Sequence, residues 1–404
     1  MAELSLGLLT AIGGYIEVGS LSTSAEAGAR FGLSLLWPLA LGTVALILLS
    51  EMSGRFAAVS KTAYMAAVRE HFGFKLYLVP LATAIVTDTL LLAAEVGGVA
   101  TGLTLGLRLP FWLALVLAAL VVWAALWFLS FQQMERWPTL LGLLSLAFVA
   151  GIVLRGGPSP PLLSTLWHLS PPRSQLGQYL FLTSAVLGAT ISPYLVVFYS
   201  SGARQEGWGR HSLWLNRTTA VAGIGAGAVL GAAVLVLAAI VLGPSHQDVS
   251  SLTGVESLLL GSIGGAARIV FPVLLFVTCL GASLEVCLAL SFNVAQGFGW
   301  PHALNARHRD AARFRVTMLV VLAGATTVAL IVRAPLTLAL FASALMALVL
   351  PVALFPFLVI MNDPDHLGEY TNGPAANVAT LVILLLASVV ALCTIPLLIV
   401  GGGQ

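Results

Sequence analysis

Charged residues are scarce in this sequence. Lysine, arginine, aspartate and glutamate together make up 8% of the 404 residues, whereas 59% are hydrophobic and the mean hydropathy is +1.01. Soluble domains carry about 25% charged residues, so this composition excludes a soluble globular protein. A membrane helix needs a long apolar run, and the chain has room for about ten to twelve such helices joined by short loops.

Cysteines and catalytic motifs are also sparse. The three cysteines, Cys279, Cys287 and Cys393, lie in apolar segments without metal-ligand spacing, so we expect no disulfide framework and no cofactor. The chain has no His-Glu-x-x-His sequence, no nucleotide-binding loop, and no plausible serine, histidine and aspartate set in its apolar segments. We therefore predict that the protein is not an enzyme and has no nucleic-acid partner.

Apolar runs of membrane length divide the chain into eleven segments. They cover residues 5–29, 33–53, 76–104, 109–130, 137–155, 177–201, 215–243, 265–296, 314–333, 335–361 and 376–401. The pattern predicts an all-α polytopic membrane protein with 11 transmembrane helices in one domain, residues 1–404. We expect it to lie among membrane lipids as a monomer.

The loop charges predict the orientation, because cytoplasmic loops carry an excess of lysine and arginine. With the N-terminus inside, the inner loops hold 12 of these residues and the outer side holds 6, which accounts for all 18. The sequence thus predicts a multi-pass protein of the inner (plasma) membrane, with a cytoplasmic N-terminus and an external C-terminus.

The first apolar segment contains an interruption at residues 12–24. This stretch, Ile-Gly-Gly-Tyr-Ile-Glu-Val-Gly-Ser-Leu-Ser-Thr-Ser, holds three glycines, the acid Glu17 and a run of hydroxyls. Each glycine lowers helix stability by about 1 kcal/mol, and an acid at membrane depth needs a cation, a proton or water. Transporters commonly build substrate sites from such broken helices. The alternative is a packed kink with a protonated Glu17 that has no role in transport.

The sixth segment contains a second interruption, Gly-Ala-Thr-Ile-Ser-Pro-Tyr at residues 188–194. Pro193 removes a backbone donor, so carbonyls around Ala189 lose their helical partners. An ordinary proline kink is the alternative. Breaks in both the first and the sixth segments are typical of a five-plus-five inverted repeat with the site at the repeat interface. The repeats would cover residues 5–155 and 177–361, with 376–401 as an extra helix.

Four stretches of the chain resemble conserved segments of a known family; they are residues 15–32, 94–110, 188–194 and 350–363. The family they resemble is the Nramp (natural resistance-associated macrophage protein) family of divalent-metal transporters. The resemblance runs over most of the chain. It implies a LeuT-type fold of the APC superfamily, in which helices 1 and 6 are broken, and a secondary transporter that works by alternating access.

The metal-liganding positions depart from the family pattern. Glu17 stands where the family has aspartate, Ser20 where it has asparagine, Ser192 where it has methionine and Tyr194 where it has histidine. The backbone carbonyl ligand is matched by Ala189. The chain thus resembles a divergent member of the family, one that lacks the usual metal-site motifs.

Other functional positions of the family are partly kept. Ser343 matches a polar glutamine of the tenth helix, and Arg313 matches one of two arginines of the ninth. In the third segment Leu92 replaces an aspartate of the proton path, whereas Glu95 is kept. The resemblance therefore implies weak or absent proton coupling, with Glu95, Asp88 and Arg313 as the coupling candidates.

The changed positions favour a hard ion. Without the thioether of methionine, a site made by Glu17, Ser20, Ala189 and Ser192 has only oxygen ligands, which suit magnesium, calcium or manganese. We predict import of a hard divalent cation, magnesium or manganese, with or without part of its hydration shell. Serine in place of methionine and asparagine leaves room for a hydrated ion.

Two further acids lie in apolar segments. Glu285 is in the eighth segment, which runs beside the first helix in LeuT-type folds, so it is expected to face the same cavity. The alternative is a protonated glutamate hydrogen-bonded to a neighbouring helix. Asp88 and Glu95 are seven residues apart and share a helix face, as a proton path or as partners of other buried groups.

A second hypothesis keeps the fold and drops the metal. The chain would then be an Nramp-related transporter of a non-metal small solute, organic or inorganic. Its hydrogen-bonding partners would be Ser20, Ser22, Ser192 and Tyr194, and the protonatable coupling residue would be Glu17 or Glu285.

Overall fold

The computed structural model describes residues 17–131, 133–134, 143–167, 175–245, 252–304 and 309–401. Every regular element within these ranges is a helix. Nine helices in the described ranges are long and apolar enough to cross a membrane. The predicted all-α polytopic architecture is confirmed, and the chain is a multi-pass integral membrane protein. The beginnings of the first and fifth predicted segments, residues 5–16 and 137–142, lie outside the described residues.

The main helices are labelled in chain order. They are α1 (Val18–Phe31), α2 (Leu36–Ser60), α3 (Tyr64–Leu107), α4 (Phe111–Phe128), α5 (Leu146–Leu154), α6 (Leu176–Thr190), α7 (Pro193–Gln205), α8 (Leu213–Val241), α9 (Leu252–Ile263), α10 (Ala267–Phe298), α11 (Ala312–Val332), α12 (Pro335–Ile360) and α13 (Pro374–Gly401). Short helices at Pro160–Ser164 and Pro364–Leu367 lie in the connections.

Two predicted boundaries differ from the observed ones. Helix α2 continues to Ser60, past the predicted end at 53, because Glu51 and Arg55 form an ion pair at helical spacing and remain inside the helix. Helix α3 begins at Tyr64, well before the predicted start at 76. Gly73 divides α3, because its backbone conformation (φ 80°, ψ 159°) is not helical. Glycine adopts this conformation readily, whereas residues with a side chain rarely do.

The break in the sixth segment is confirmed. Helix α6 ends at Thr190, and the chain passes through Ile191 (φ −104°, ψ 56°) and the extended Ser192 (φ −69°, ψ 122°) before α7 begins. Pro193 occupies the first position of α7, where its missing N–H costs no helical hydrogen bond. The new helix thus starts at the proline, and the old one ends three residues earlier.

The interrupted helices lie inside the bundle. Helix α1 packs against α6, α8 and α12, while α10 lies along α3. At Gly188 of α6 an added Cβ would lie only 1.9 Å from the carbonyl oxygen of Ser343, so α6 and α12 approach to backbone contact. This close approach brings the break after α6 next to the middle of α12.

Candidate functional site

Glu17 marks the start of α1. Its backbone is extended (φ −93°, ψ 167°), its side chain is fully buried, and the helix begins at the next residue. The Glu17 N–H donates to Ser20 Oγ at 3.2 Å, and the Ser20 hydroxyl lies 3.2 Å from the Glu17 carbonyl oxygen. Ser20 is therefore turned back onto the backbone of Glu17, as a residue in the first helical turn does when it caps a helix.

Tyr194 joins the two interrupted helices. Its hydroxyl donates to Glu17 Oε2 at 3.2 Å, so the second residue of α7 contacts the residue that precedes α1. Tyr194 is 1% exposed. The structure thus brings together two residues that the sequence places 177 positions apart.

The other carboxylate oxygen of Glu17 and the hydroxyl of Ser343 both lie close to Gly19. An added Cβ on Gly19 would lie 3.1 Å from Glu17 Oε1 and 3.0 Å from Ser343 Oγ, so both oxygens converge over this glycine. Neither atom has a hydrogen-bond partner among the described residues, and both are buried. An unpaired carboxylate oxygen and an unpaired hydroxyl therefore both lie beside Gly19, where any larger residue would crowd them.

Ser192 covers the end of α6. Its Oγ lies 3.1 Å from the Ala189 carbonyl oxygen and 3.2 Å from the Gly188 carbonyl oxygen, to which its hydroxyl donates. The carbonyl groups left without helical partners by the break are thus satisfied by a side chain of the break itself. Four predicted site residues, Glu17, Tyr194, Ser343 and Ser20, gather at α1, and Ala189 and Ser192 cap the facing end of α6.

Glu95 supports α1 from α3. Its Oε1 accepts a hydrogen bond of 2.8 Å from the Val18 N–H, the first donor of α1. A carboxylate at a helix N-terminus is favoured by the helix dipole and by the unpaired backbone N–H groups there. No feature of the sequence indicates this contact, because it depends on how α3 packs beside α1.

Asp88 lies two turns from Glu95 on α3. It is 3% exposed and accepts a hydrogen bond of 3.0 Å from the Thr87 hydroxyl. Its charge interacts with that of Glu17. The shared helix face of Asp88 and Glu95 therefore points into the bundle, although Asp88 is already partnered by its own neighbour.

Glu285 is buried in the middle of α10. It is 3% exposed, and neither of its carboxylate oxygens has a hydrogen-bond partner within the described ranges. It lies near enough to Glu17 and Tyr194 for their charges to interact. No group of three or more histidine, cysteine, aspartate or glutamate side chains in the part of the chain that the structure describes is arranged to hold a metal ion.

Arg313 is not brought to these residues. It is exposed, and its guanidinium lies over the Trp300 ring at 5.6 Å from the centroid. The buried arginine of α11 is Arg315, which donates to the Leu304 carbonyl at 3.0 Å and lies 5.3 Å from the centroid of Trp127. The sequence analysis singled out Arg313 and not Arg315. Residues two positions apart lie on different faces of a helix, so matching the wrong one of the two misplaces the side chain.

The site is closed in this structure. Glu17, Ser192 and Ser343 are fully buried, so a solute cannot reach them unless helices move. The arrangement offers one carboxylate, four hydroxyls and a backbone carbonyl, at the start of α1, at the break between α6 and α7, and on α12. Such a site binds a cation or a hydrogen-bonding solute and has no nucleophile or base arranged for catalysis.

A bundle of spanning helices in which α1 begins after the buried Glu17, and in which the sixth segment is broken before Pro193, has the arrangement of the LeuT type. The fold matches a manganese transporter of Eremococcus coleocola, solved with an aromatic bis-isothiourea substituted compound, with a TM-score of 0.80 and 19% identity over 98% of this chain and 86% of that one. It also matches MhsT, solved with L-phenylalanine, with a TM-score of 0.66 and 16% identity over 97% and 98% of the two chains. These similarities confirm the predicted LeuT-type fold with helices 1 and 6 broken.

Residues 7–397 match the family described as natural resistance-associated macrophage protein-like, or Nramp. The chain belongs to the Nramp family. A relative, the divalent metal cation transporter MntH of Granulibacter bethesdensis, is 25% identical over 378 residues, which cover 89% of this chain and 80% of the relative. Members of this family are transporters, so the prediction that the protein is not an enzyme is confirmed.

Proposed function

We propose that this chain is a secondary transporter that imports a hard divalent cation, magnesium or manganese, with or without part of its hydration shell. One observation carries the proposal. The buried Glu17 carboxylate stands immediately before α1, and its unpaired oxygen and the unpaired hydroxyl of Ser343 both lie beside Gly19. Relatives in the same family are named divalent metal cation transporters.

The donor atoms support a hard ion. Glu17, Ser20, Ser192 and the Ala189 carbonyl offer oxygen alone, and magnesium and manganese prefer oxygen ligands. No thioether or imidazole is present at these positions to favour softer metals. A single carboxylate with movable hydroxyls suits an ion that keeps several of its waters, as magnesium does.

Weak or absent proton coupling is the second part of the proposal. Of the coupling candidates, Glu95 is engaged by the Val18 N–H, Asp88 by Thr87, and Arg313 is exposed away from the site. Uptake would then be driven largely by the membrane potential, worth about 2.3 kcal/mol per charge per 100 mV. We further propose a monomer in the plasma membrane, with a cytoplasmic N-terminus and one transporter domain built from the two repeats.

The test is ion flux in liposomes that contain the purified protein. We expect uptake of magnesium and manganese in the wild type, little change when a pH gradient is imposed, and loss of uptake in Glu17→Gln. Glu256→Gln on α9 is the matched control, because this acid is only partly buried and lies outside the site. Absence of divalent uptake, or equal uptake in Glu17→Gln and wild type, would contradict the proposal.

A non-metal solute is the second candidate function. It is favoured by the lack of any group of three metal-ligating side chains within the described ranges, and by the Tyr194 hydroxyl already donating to Glu17. Calorimetric titration of magnesium and manganese into wild type and Glu17→Gln separates the two candidates. No binding, or identical binding to both proteins, would favour a solute held by hydrogen bonds, with Glu17 or Glu285 carrying the proton.

A further inference from the structure

Glu285 has no partner on its own helix. The polar side chains around it on α10 are satisfied by backbone carbonyls of the same helix: Ser283 donates to the Cys279 carbonyl at 2.7 Å and Ser291 to the Cys287 carbonyl at 2.7 Å. Cys287 lies 3.6 Å from the Met318 carbonyl oxygen. Neither Glu285 oxygen accepts a hydrogen bond from any of these groups or from another described residue. A glutamate that served only to join helices would be bonded to one of them.

Helix α10, which carries Glu285, packs against α7 and α3, which carry Tyr194 and Glu95. Glu285 is close enough to Glu17 and to Tyr194 for its charge to act on both. Together with Glu285, these groups are three acids and a phenol. A buried carboxylate without a counter-charge is strongly unfavourable, so an ionised Glu285 requires a cation that comes from outside the protein.

Glu17 and Glu95 are each engaged by a donor. Glu17 accepts from Tyr194, and Glu95 accepts from the Val18 N–H at the positive end of the α1 dipole. Glu285 alone among the three has both oxygens unpaired. It is thus the acid with the most coordination capacity left for an ion.

We propose that Glu285 is a second carboxylate for the transported ion, supplied by α10 in addition to Glu17 before α1, so that two negative charges match the two positive charges of a divalent cation. This inference rests on the proposed function and adds to it the reason why the site would select ions with two positive charges. Glu17 and Glu285 approach the ion from different helices, and water molecules retained by the ion fill the remaining positions. The site would discriminate against monovalent ions, which leave one carboxylate uncompensated.

The test compares Glu285→Gln, Glu17→Gln and Glu256→Gln with the wild type in detergent. The readouts are manganese and magnesium binding by calorimetry, and the melting temperature without divalent ions. Removing one of two charges should raise the Kd of Glu285→Gln for manganese by about tenfold or more. Its melting temperature without ions should stay unchanged or rise, because an unpaired buried acid has been removed. Glu256→Gln should match the wild type in both readouts.

The outcomes separate the inference from the proposed function. If Glu17→Gln loses manganese binding and Glu285→Gln keeps the wild-type Kd, the inference is overturned and the proposed function stands. A lower melting temperature of Glu285→Gln with an unchanged Kd means a structural role and also overturns it. If the wild type binds neither ion, both fall. If Glu285→Gln does not fold, Glu285→Asp keeps the charge but withdraws it by one methylene group, and an unchanged Kd in that variant overturns the inference.

Discussion

The Tyr194 hydroxyl donates to Glu17 Oε2 at 3.2 Å and so connects the two interrupted helices through the site itself. Tyr194 lies in the first turn of α7, and Glu17 immediately precedes α1. Any cation that takes Oε2 as a ligand must weaken this bond or share the oxygen with it. Cargo binding and the contact between the two helices are therefore coupled.

Tyr194→Phe should destabilise the protein more without cargo than with it. The substitution removes the Tyr194 hydroxyl from Glu17 Oε2, and the loss of a partner by a buried acceptor costs about 1–3 kcal/mol. A bound cation replaces the lost partner, so the melting-temperature deficit relative to wild type should shrink in saturating manganese.

The control is Tyr199→Phe on the same helix. The Tyr199 hydroxyl pairs with Thr219 Oγ1 at 3.0 Å, away from Glu17. Its melting-temperature deficit should be the same with and without manganese. A deficit in Tyr194→Phe that persists unchanged in manganese would contradict the coupling.

Gly188→Ala should separate α6 from α12. The new methyl group would lie 1.9 Å from the Ser343 carbonyl oxygen, and backbone cannot move aside as a flexible side chain can. Overpacking typically costs about 1–3 kcal/mol and more in severe cases, so we expect a large fall in melting temperature or loss of folded protein. Gly225→Ala on α8 is the control, because no atom lies within 4 Å of its added Cβ. Equal stability of the two variants would refute the close approach.

Gly73→Ala should be unfavourable for a purely backbone reason. No atom lies within 4 Å of the added methyl group, but φ is +80°. Conformations of this kind cost about 1–3 kcal/mol for other residues. Gly265→Ala, with equally open surroundings and no such φ, should unfold at the wild-type temperature. If Gly73→Ala does the same, the break in α3 does not require glycine.

The ionised Asp363 should stabilise the protein at pH values above the pKa that this residue has in the unfolded chain. The contribution should be absent at pH values below its pKa in the folded protein. Partial burial raises the pKa of Asp363, but the hydrogen bonds from His366 and the Asp365 N–H and the charges of His366 and His71 outweigh it, so the pKa lies below the ordinary value of 3.8. His366 Nδ1 lies 2.8 Å and His71 Nδ1 3.3 Å from Asp363 Oδ2. Because the folded state favours the ionised form, this contribution is present above pH 3.8 and is lost as the pH falls through the lowered pKa.

The measurement is the melting temperature of Asp363→Asn and wild type in detergent from pH 7 down to pH 3. At pH 7 the variant should be less stable by about 1 kcal/mol at most, since the group is partly exposed to solvent. The difference should diminish as the pH falls below 3.8. Asp365→Asn is the control, because Asp365 contributes its backbone N–H and no side-chain bond. A difference that is independent of pH would exclude ionisation of Asp363 as its source.

Apolar length predicted most helices well. The segment predicted at 335–361 is α12, Pro335–Ile360, and the one at 265–296 is α10, Ala267–Phe298, because a membrane span must be long and continuously apolar. The start of α3 was missed because residues 64–72 are short of this length and carry charges. Such a stretch has no membrane signal, and its helix is stabilised by packing: Tyr64 donates to the Ala353 carbonyl at 2.9 Å.

The site was only partly predictable. The residues around Glu17 and Tyr194 followed from the two breaks and from the family resemblance, since each break has a local cause in glycine or proline. The Glu95 contact with Val18 and the burial of Arg315 had no local cause. Both depend on which helix face meets which neighbour, and apolar segments without amphipathic periodicity do not carry that information.

The side chain of Ser192 takes the place of a bound ion at the carbonyl groups of Gly188 and Ala189. The Ser192 hydroxyl donates to the Gly188 and Ala189 oxygens, and under the proposed function an arriving ion must displace it at a net cost of about 0.5–1.5 kcal/mol. Rotation about one side-chain bond turns the same oxygen from donor to ligand. When the ion leaves, the reverse rotation restores the hydrogen bonds to the two carbonyl groups. The carbonyl groups of the broken helix therefore have a partner in the membrane both with and without the ion. Such a site gives up some affinity and in return releases its ion readily.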